Sequence, residues 1–147
     1  MTTNGINGFF EKDHDEIDAI LVGVDYGRPG EALPRFEEFD RRLERHIVWE
    51  ESLLFPAAVS AAPHLEHGPV AVMKMEHERI RERKAEAIRR LRGGDASGAS
   101  RAVEEMLEVL RPHNMKEERI LYPACDQFLA GPAADALLAR VREDASR

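Results

Sequence analysis

Four stretches of the chain carry apolar residues at alternating intervals of four and three. The first has Phe10, Ile17, Leu21 and Val24, with His14 completing the series. The second runs Phe36, Phe39, Leu43, His46, Glu50, Leu53 or Leu54, and Ala57. The third is Val70, Met73, His77, Ile80, Lys84, Ala87 and Leu91. The fourth is Val103, Met106, Leu110, His113, Glu117, Ile120 and Ala124. Alternation of three and four keeps all these positions on one face of a helix with 3.6 residues per turn. The pattern therefore predicts four amphipathic helices. Each inward stripe is broken by a histidine, and two of them also by a glutamate.

Glycine and proline punctuate the stripes. After a short polar arm over residues 1–7, Asn7 or Gly8 starts the first helix, which runs to about Tyr26 and stops at Gly27-Arg28-Pro29-Gly30. The second helix is expected to begin near Pro34, in keeping with proline in a first helical turn, and Pro56 bends or weakens its end. Residues 61–69 are a connection. The third helix starts around Pro69 and ends at Gly93-Gly94, and Asp95, Ser97 or Ser100 caps the fourth. Pro112 removes a backbone donor inside the fourth stripe, so a kink or π-bulge is expected beside His113. Gly131-Pro132 closes that segment. The implied fold class is all-α: an up-down-up-down antiparallel four-helix bundle over about residues 8–129, with a short extra C-terminal helix over about 132–143, in one domain spanning 1–147. No strand pattern stands out.

One stretch is written twice. His46-Ile47-Val48-Trp49-Glu50-Glu51-Ser52-Leu53-Leu54-Phe55-Pro56 returns as His113-Asn114-Met115-Lys116-Glu117-Glu118-Arg119-Ile120-Leu121-Tyr122-Pro123. His and Glu four apart share a helix face, so each copy aims an imidazole and a carboxylate the same way. Both are metal ligands. A weaker repeat relates Asp13-His14-Asp15-Glu16-Ile17 to Glu76-His77-Glu78-Arg79-Ile80. Each half of the chain is thus a helical hairpin contributing a His and then a His-x3-Glu.

The hairpins bring these groups to matching heights. His14 lies about 12 residues from the end of its helix and His46 about 12 from the start of the next, roughly 18 Å in each case. His77 and His113 lie about 15 residues either side of their own turn. Buried polar groups in a bundle core are costly when unpaired, and ionised carboxylates most of all. Apart from Lys84, about two turns from His77, nothing on the stripes neutralises both glutamates. A pair of divalent cations does, which makes His14, His46, Glu50, His77, His113 and Glu117 the candidate metal ligands.

Charge and composition narrow the partners. The chain has 147 residues, 43% hydrophobic and 33% charged, with a net charge of −7. That acidity argues against a nucleic-acid groove or an anionic membrane surface, and no apolar run approaches the roughly 20 residues of a membrane span. Met1 to Gly8 has no basic segment leading into an apolar one, so no secretory signal is expected. Cys125 is the only cysteine, which leaves no intrachain disulfide or thiolate zinc site and fits a packing residue in a reducing cytoplasm.

The residues from His14 to Glu117, in the order His, His-x3-Glu, His, His-x3-Glu, resemble the hemerythrin-like, or HHE cation-binding, family in its four-His, two-Glu variant. The resemblance implies two non-haem iron ions, oxo- or hydroxo-bridged, with the four histidines as ligands and Glu50 and Glu117 bridging. It implies binding of, or reaction with, O2, NO or peroxide. The alternative is an iron or redox sensor, or an iron-handling module without turnover. Oxygen carriers of the family have a fifth histidine one turn after the third-helix ligand, where Arg81 stands here, so reversible oxygen carriage is disfavoured. No protein partner is indicated, and turnover is left open.

Rival patterns fail. Glu-x-x-His occurs once, at Glu11 and His14, where a ferritin-like site needs it on two helices; His77-Glu78-Arg79-Ile80-Arg81 lacks the second histidine of a zincin. Glu51 and Glu118 lie about 100° round the helix from the bridging pair and read as a solvated or helix-packing face, with an imidazole contact the lesser alternative. His64 and His67 read as surface histidines, and Met73, Met106 and Met115 as core filler. Phe55 and Tyr122 sit nearly opposite their histidines and are expected outside the central core.

Overall fold

The computed structural model describes residues 5–147. The helices are α1 (Gly5–Ile20), α2 (Pro29–Trp49), α3 (Phe55–Ala61), α4 (Pro69–Arg92), α5 (Ala96–Lys116), α6 (Tyr122–Phe128) and α7 (Pro132–Ala145). Two five-residue π-helical turns, Glu50–Leu54 and Glu117–Leu121, join α2 to α3 and α5 to α6 with no non-helical residue between. A 3-10 turn, Pro63–His67, leads into α4. There is no strand among the described residues, and no helix among them is long and apolar enough to cross a membrane.

Several boundaries differ from expectation. The arm over residues 1–7 is helical from Gly5, and its first four residues lie outside the described ones. Helix α1 starts early because Asp126, on α6, accepts from the backbone N–H groups of Ile6 and Asn7 at 2.8 and 3.0 Å. That caps two orphan donors from 120 residues away. Gly5 has φ +81, and a Cβ there would meet Asp126 Oδ1 at 2.8 Å, so glycine is required where the cap closes. The helix ends at Ile20, well short of Tyr26, through a turn in which Gly23 has φ +77. Helix α2 begins at Pro29, not Pro34, with proline at its N1 position; Pro34 lies inside it.

The π-turns are the main departure. A kink or π-bulge was expected beside His113, owing to Pro112; α5 continues through both residues as α-helix. Pro112 and Glu108 are both exposed residues. The register change comes instead at the repeated Glu-Glu-x-x-Leu-aromatic-Pro, twice. Phe55 N–H bonds to the Glu50 carbonyl, and Tyr122 N–H to that of Glu117, each closing an i to i+5 turn just before a proline with no N–H. One added residue shifts the stripe. Leu54, Phe55 and Ala58 are buried past Glu50; Leu121, Tyr122 and Cys125 are buried past Glu117. Ile120, which an uninterrupted α-helix would turn inward, is 57% exposed.

Upstream of the π-turns the stripes hold. Phe10, His14, Ile17, Phe36, Phe39, Leu43, Val70, Met73, Ile80, Ala87, Leu91, Val103, Met106 and Leu110 are all buried. Neighbouring helices run antiparallel. Arg35 meets Ile20 while Trp49 meets Phe9 between α1 and α2; Arg92 meets Glu37 while Arg81 meets Glu44 between α2 and α4. Arg83 meets Glu105 while His113 meets Glu76 between α4 and α5. Two apolar clusters fill the interior. One joins Ile17, Phe36, Phe39, Ile80, Met106 and Leu110. The other joins Ile6, Phe10, Trp49, Leu54, Phe55, Tyr122 and Cys125 with the inner face of α7. Trp49 Nε1–H donates to Asp144 at 2.6 Å, tying α7 down over α2. The polar stripe residues lie between the two clusters.

Candidate metal centre

All six candidate ligands are buried at 2% exposure or less. Their donor atoms form two groups, each within 4.8 Å of one another: His14, His46, Glu50 and Glu117, and Glu50, His77, His113 and Glu117. The two groups share both glutamates. Glu50 turns Oε2 towards His46 at 3.5 Å and Oε1 towards His77 at 3.0 Å. Glu117 turns Oε1 towards His14 at 3.0 Å and Oε2 towards His113 at 3.1 Å. Each carboxylate thus spans the two clusters, and each hairpin supplies the pair of histidines on one side.

In each cluster the histidines present Nε2, because a second carboxylate holds each Nδ1. Asp13 takes His46 at 2.8 Å and Glu76 takes His113 at 3.0 Å. Glu118 takes His14 at 2.7 Å and Glu51 takes His77 at 2.8 Å. For Glu51 and Glu118 the lesser alternative, an imidazole contact, holds over a solvated or helix-packing face: their own helices turn them towards the imidazole of a neighbour. A repeated rule underlies the set. The residue before each single histidine holds the histidine of the next helix; the residue after each bridging glutamate holds one of the single histidines. The doubled Glu50-Glu51 and Glu117-Glu118, and the acid before His14 and His77, were the available signal. Such contacts fix the tautomer and aim the free nitrogen.

Basic residues steady three of these carboxylates. Arg42 donates to Asp13 at 3.0 Å, Lys116 pairs with Glu76, and Arg81 donates to Glu51 at 3.2 Å and to Glu44 at 3.0 Å. Lys84 does not reach the bridging glutamates; it pairs with Asp40 at 3.1 Å and Glu44 at 3.3 Å. Arg81 is thus bound to the rim of the site through Glu51.

Tyr122 is the residue that helical periodicity misplaced. Five residues along an α-helix is about 140° off the starting face, but the π-turn closes at i+5 and sets Tyr122 over Glu117. It is fully buried. Its hydroxyl lies 2.6 Å from Glu50 Oε2 and 2.9 Å from Glu117 Oε1. It also lies 3.1 Å from His46 Nε2 and 3.3 Å from His14 Nε2. Phe55, its counterpart in the other half, stacks on His77 at 5.9 Å with an interplanar angle of 6°. Both rings belong to the centre, not outside it. Of the other side residues, Met73 and Met106 are buried and Met115 is 44% exposed. His64 and His67 are exposed. Cys125 is a buried free thiol whose pKa burial pushes up to about 12.

The buried histidines and glutamates shift one another's pKa values. Burial pushes the imidazole pKa of His14 down, but hydrogen bonds to Glu117 and Glu118 outweigh it and raise the value to about 10. His77 likewise rises to about 10, against burial, through Glu117 and Glu50. Burial opposes ionisation of Glu117, yet His113, Glu50 and His14 hold its pKa well below the usual carboxylate range. Burial and the two glutamates push the Tyr122 phenol well above its ordinary value. Three fully buried donors, Glu50 Oε1, His77 Nε2 and Glu117 Oε2, have no hydrogen-bond partner. His77 Nε2 and Glu50 Oε1 approach to 3.0 Å without hydrogen-bond alignment. Orphaned buried carboxylate oxygens cost several kcal/mol, on the order of 1–3 each or more, and a divalent cation removes that cost. The donor set, imidazole nitrogen with carboxylate oxygen, suits iron, zinc or manganese.

Comparison with known proteins agrees. The model of the hemerythrin HHE cation binding domain matches residues 7–125. Neither curated proteins nor solved structures gave a match.

Proposed function

The chain belongs to the hemerythrin HHE cation-binding domain family, and from that premise we propose that it is a non-haem diiron protein that binds or reacts with O2, NO or peroxide. We read its helices as one up-down-up-down bundle: α1, α2 with α3, α4, and α5 with α6, with α7 as the additional C-terminal helix. His14 and His46 hold one iron, His77 and His113 the other, and Glu50 and Glu117 bridge them. The observation that carries this reading is the sharing of both glutamates between two buried donor clusters. Two imidazoles and two carboxylate oxygens fill four positions on each metal, and an octahedral ion has further positions for a small ligand.

When bound, the iron pair supplies ligand affinity and electrons for a diatomic or peroxide. The protein's own groups do the rest. Asp13, Glu51, Glu76 and Glu118 fix the imidazoles and make them better donors. The two apolar clusters exclude water from the centre on either side. The two bridging carboxylates balance two of the positive charges. Arg81 anchors Glu51 where a further histidine would fill a ligand position, so that position stays available for chemistry.

The test is metal analysis with optical spectra of the anaerobic protein before and after oxygen. Two irons per chain and a spectrum that changes on oxygen addition support the reading. Fewer than one metal per chain, with His46→Ala leaving stability unchanged, overturns it. Sustained consumption of peroxide or NO that is lost in Glu117→Ala marks an enzyme; a single stoichiometric oxidation marks a sensor.

A further inference from the structure

We propose that the Tyr122 oxygen is a seventh donor to the centre, ligating the metal held by His14 and His46 and leaving the His77/His113 metal as the one that takes an exogenous ligand. This rests on the two-metal reading above.

The halves of the site repeat each other in their ligands, and in the acids that hold the imidazoles (Asp13 and Glu76, Glu51 and Glu118), up to the aromatic position of the doubled stretch. There one half has Phe55 and the other Tyr122. The π-turns deliver both rings to the centre, so the difference between them is one hydroxyl at the metal site. That hydroxyl faces a single cluster. It lies 2.6, 2.9, 3.1 and 3.3 Å from Glu50 Oε2, Glu117 Oε1, His46 Nε2 and His14 Nε2, which are the four donors of that cluster. Cis donors around an octahedral ion with bonds of about 2.1 Å sit about 3 Å apart. The hydroxyl has that spacing to all four. It stands as a fifth donor capping the other four, which leaves one position of six.

The opposite cluster has no such cap. Its orphaned atoms, Glu50 Oε1, His77 Nε2 and Glu117 Oε2, are those without a partner. The ring over it is Phe55, stacked on His77, which has no donor to offer. Two of six positions there are free of protein donors, beneath an apolar wall. An added small ligand therefore meets a nearly filled metal on one side and an open one on the other. On ligation the Tyr122 oxygen gives a lone pair to the metal, and its O–H proton leaves to water.

The test uses the iron-loaded full chain, oxidised to the ferric form, as wild type, Tyr122→Phe and Phe55→Tyr. Metal content, the visible spectrum, resonance Raman ring modes and azide titration are read for each. Expected in the wild type are two irons per chain and a phenolate-to-iron charge-transfer band with its ring modes. Tyr122→Phe keeps two irons and loses the band. Phe55→Tyr weakens azide binding at least tenfold. Two irons with no phenolate band in the wild type, or a band that persists in Tyr122→Phe, overturns the tyrosine ligand and leaves the diiron reading standing. Azide binding weakened by Tyr122→Phe but untouched by Phe55→Tyr overturns the assignment of the open metal. Fewer than two irons in the wild type overturns both.

Discussion

Asp13 accepts the Nδ1–H of His46 at 2.8 Å while Arg42 donates to the other Asp13 oxygen at 3.0 Å. The histidine is thereby held with Nε2 towards the centre, although Asp13 touches no metal position. Replacing it by Asn keeps the shape and removes the charge that makes the imidazole a stronger donor. Asp13→Asn should weaken metal binding by about 10- to 100-fold. A competition titration against a chromophoric chelator reads this directly; an unchanged affinity would mean that the bundle alone positions His46.

The sequence made the inward histidines and glutamates legible because they occupy stripe positions upstream of any register change. The hairpin arithmetic paired them for the same reason, since α2, α4 and α5 are regular up to their ligands. What could not be read was set by contacts between distant segments. Asp126 capping α1 from α6 moved a helix start. The two π-turns moved everything after Glu50 and Glu117 by one residue, which hid Tyr122 and Phe55. Glu51 and Glu118 point off their own stripe and reach a neighbouring helix, which periodicity along one helix does not report. Lys84 was the one cation on the stripes, and its actual partners, Asp40 and Glu44, lie on a neighbouring helix.

Arg81 acts on the site only through Glu51, so the two should rank in that order. Glu51→Gln removes the carboxylate that holds His77 and should lower metal affinity by about 10- to 100-fold. Arg81→Gln leaves Glu51 in place and removes a part-exposed ion pair, an interaction on the order of 1 kcal/mol or less. Its effect on affinity should stay below about tenfold. The same chelator competition compares the two; an Arg81→Gln defect as large as that of Glu51→Gln would place Arg81 nearer the metal than its contacts indicate.

The metal-free chain should lose stability as pH rises, where the metal-loaded chain should not. His14 and His77 carry pKa values raised to about 10, against 6.5 for a free imidazole. A raised folded-state pKa contributes stability that is complete below the unfolded value and lost as pH climbs through the folded one. The window is thus from about pH 6.5 to about pH 10. In the loaded protein the imidazoles are neutral ligands, so that contribution is absent and metal uptake expels protons instead. Affinity for the metal should therefore rise with pH. Thermal melts across this range, on chelator-stripped and reloaded protein, should diverge towards high pH; parallel curves would contradict the charged state of these histidines.

Ile120 and Leu121 are adjacent, and the π-turn decides which of them packs. Leu121 is 1% exposed and Ile120 57%. A continuous α-helix from His113 would put Ile120 inward with Val103, Met106 and Leu110, and would leave Leu121 to the side. The two variants therefore report the register in solution. Leu121→Ala should cost about 2–5 kcal/mol, the usual range for emptying a packed leucine site. Ile120→Ala should stay within about 0.5 kcal/mol, as for an ordinary surface change. Urea denaturation of the metal-free chain measures both without interference from ligand binding. The reverse ranking would mean that the helix past Glu117 keeps its α register, and Tyr122 would then turn away from the centre together with Leu121.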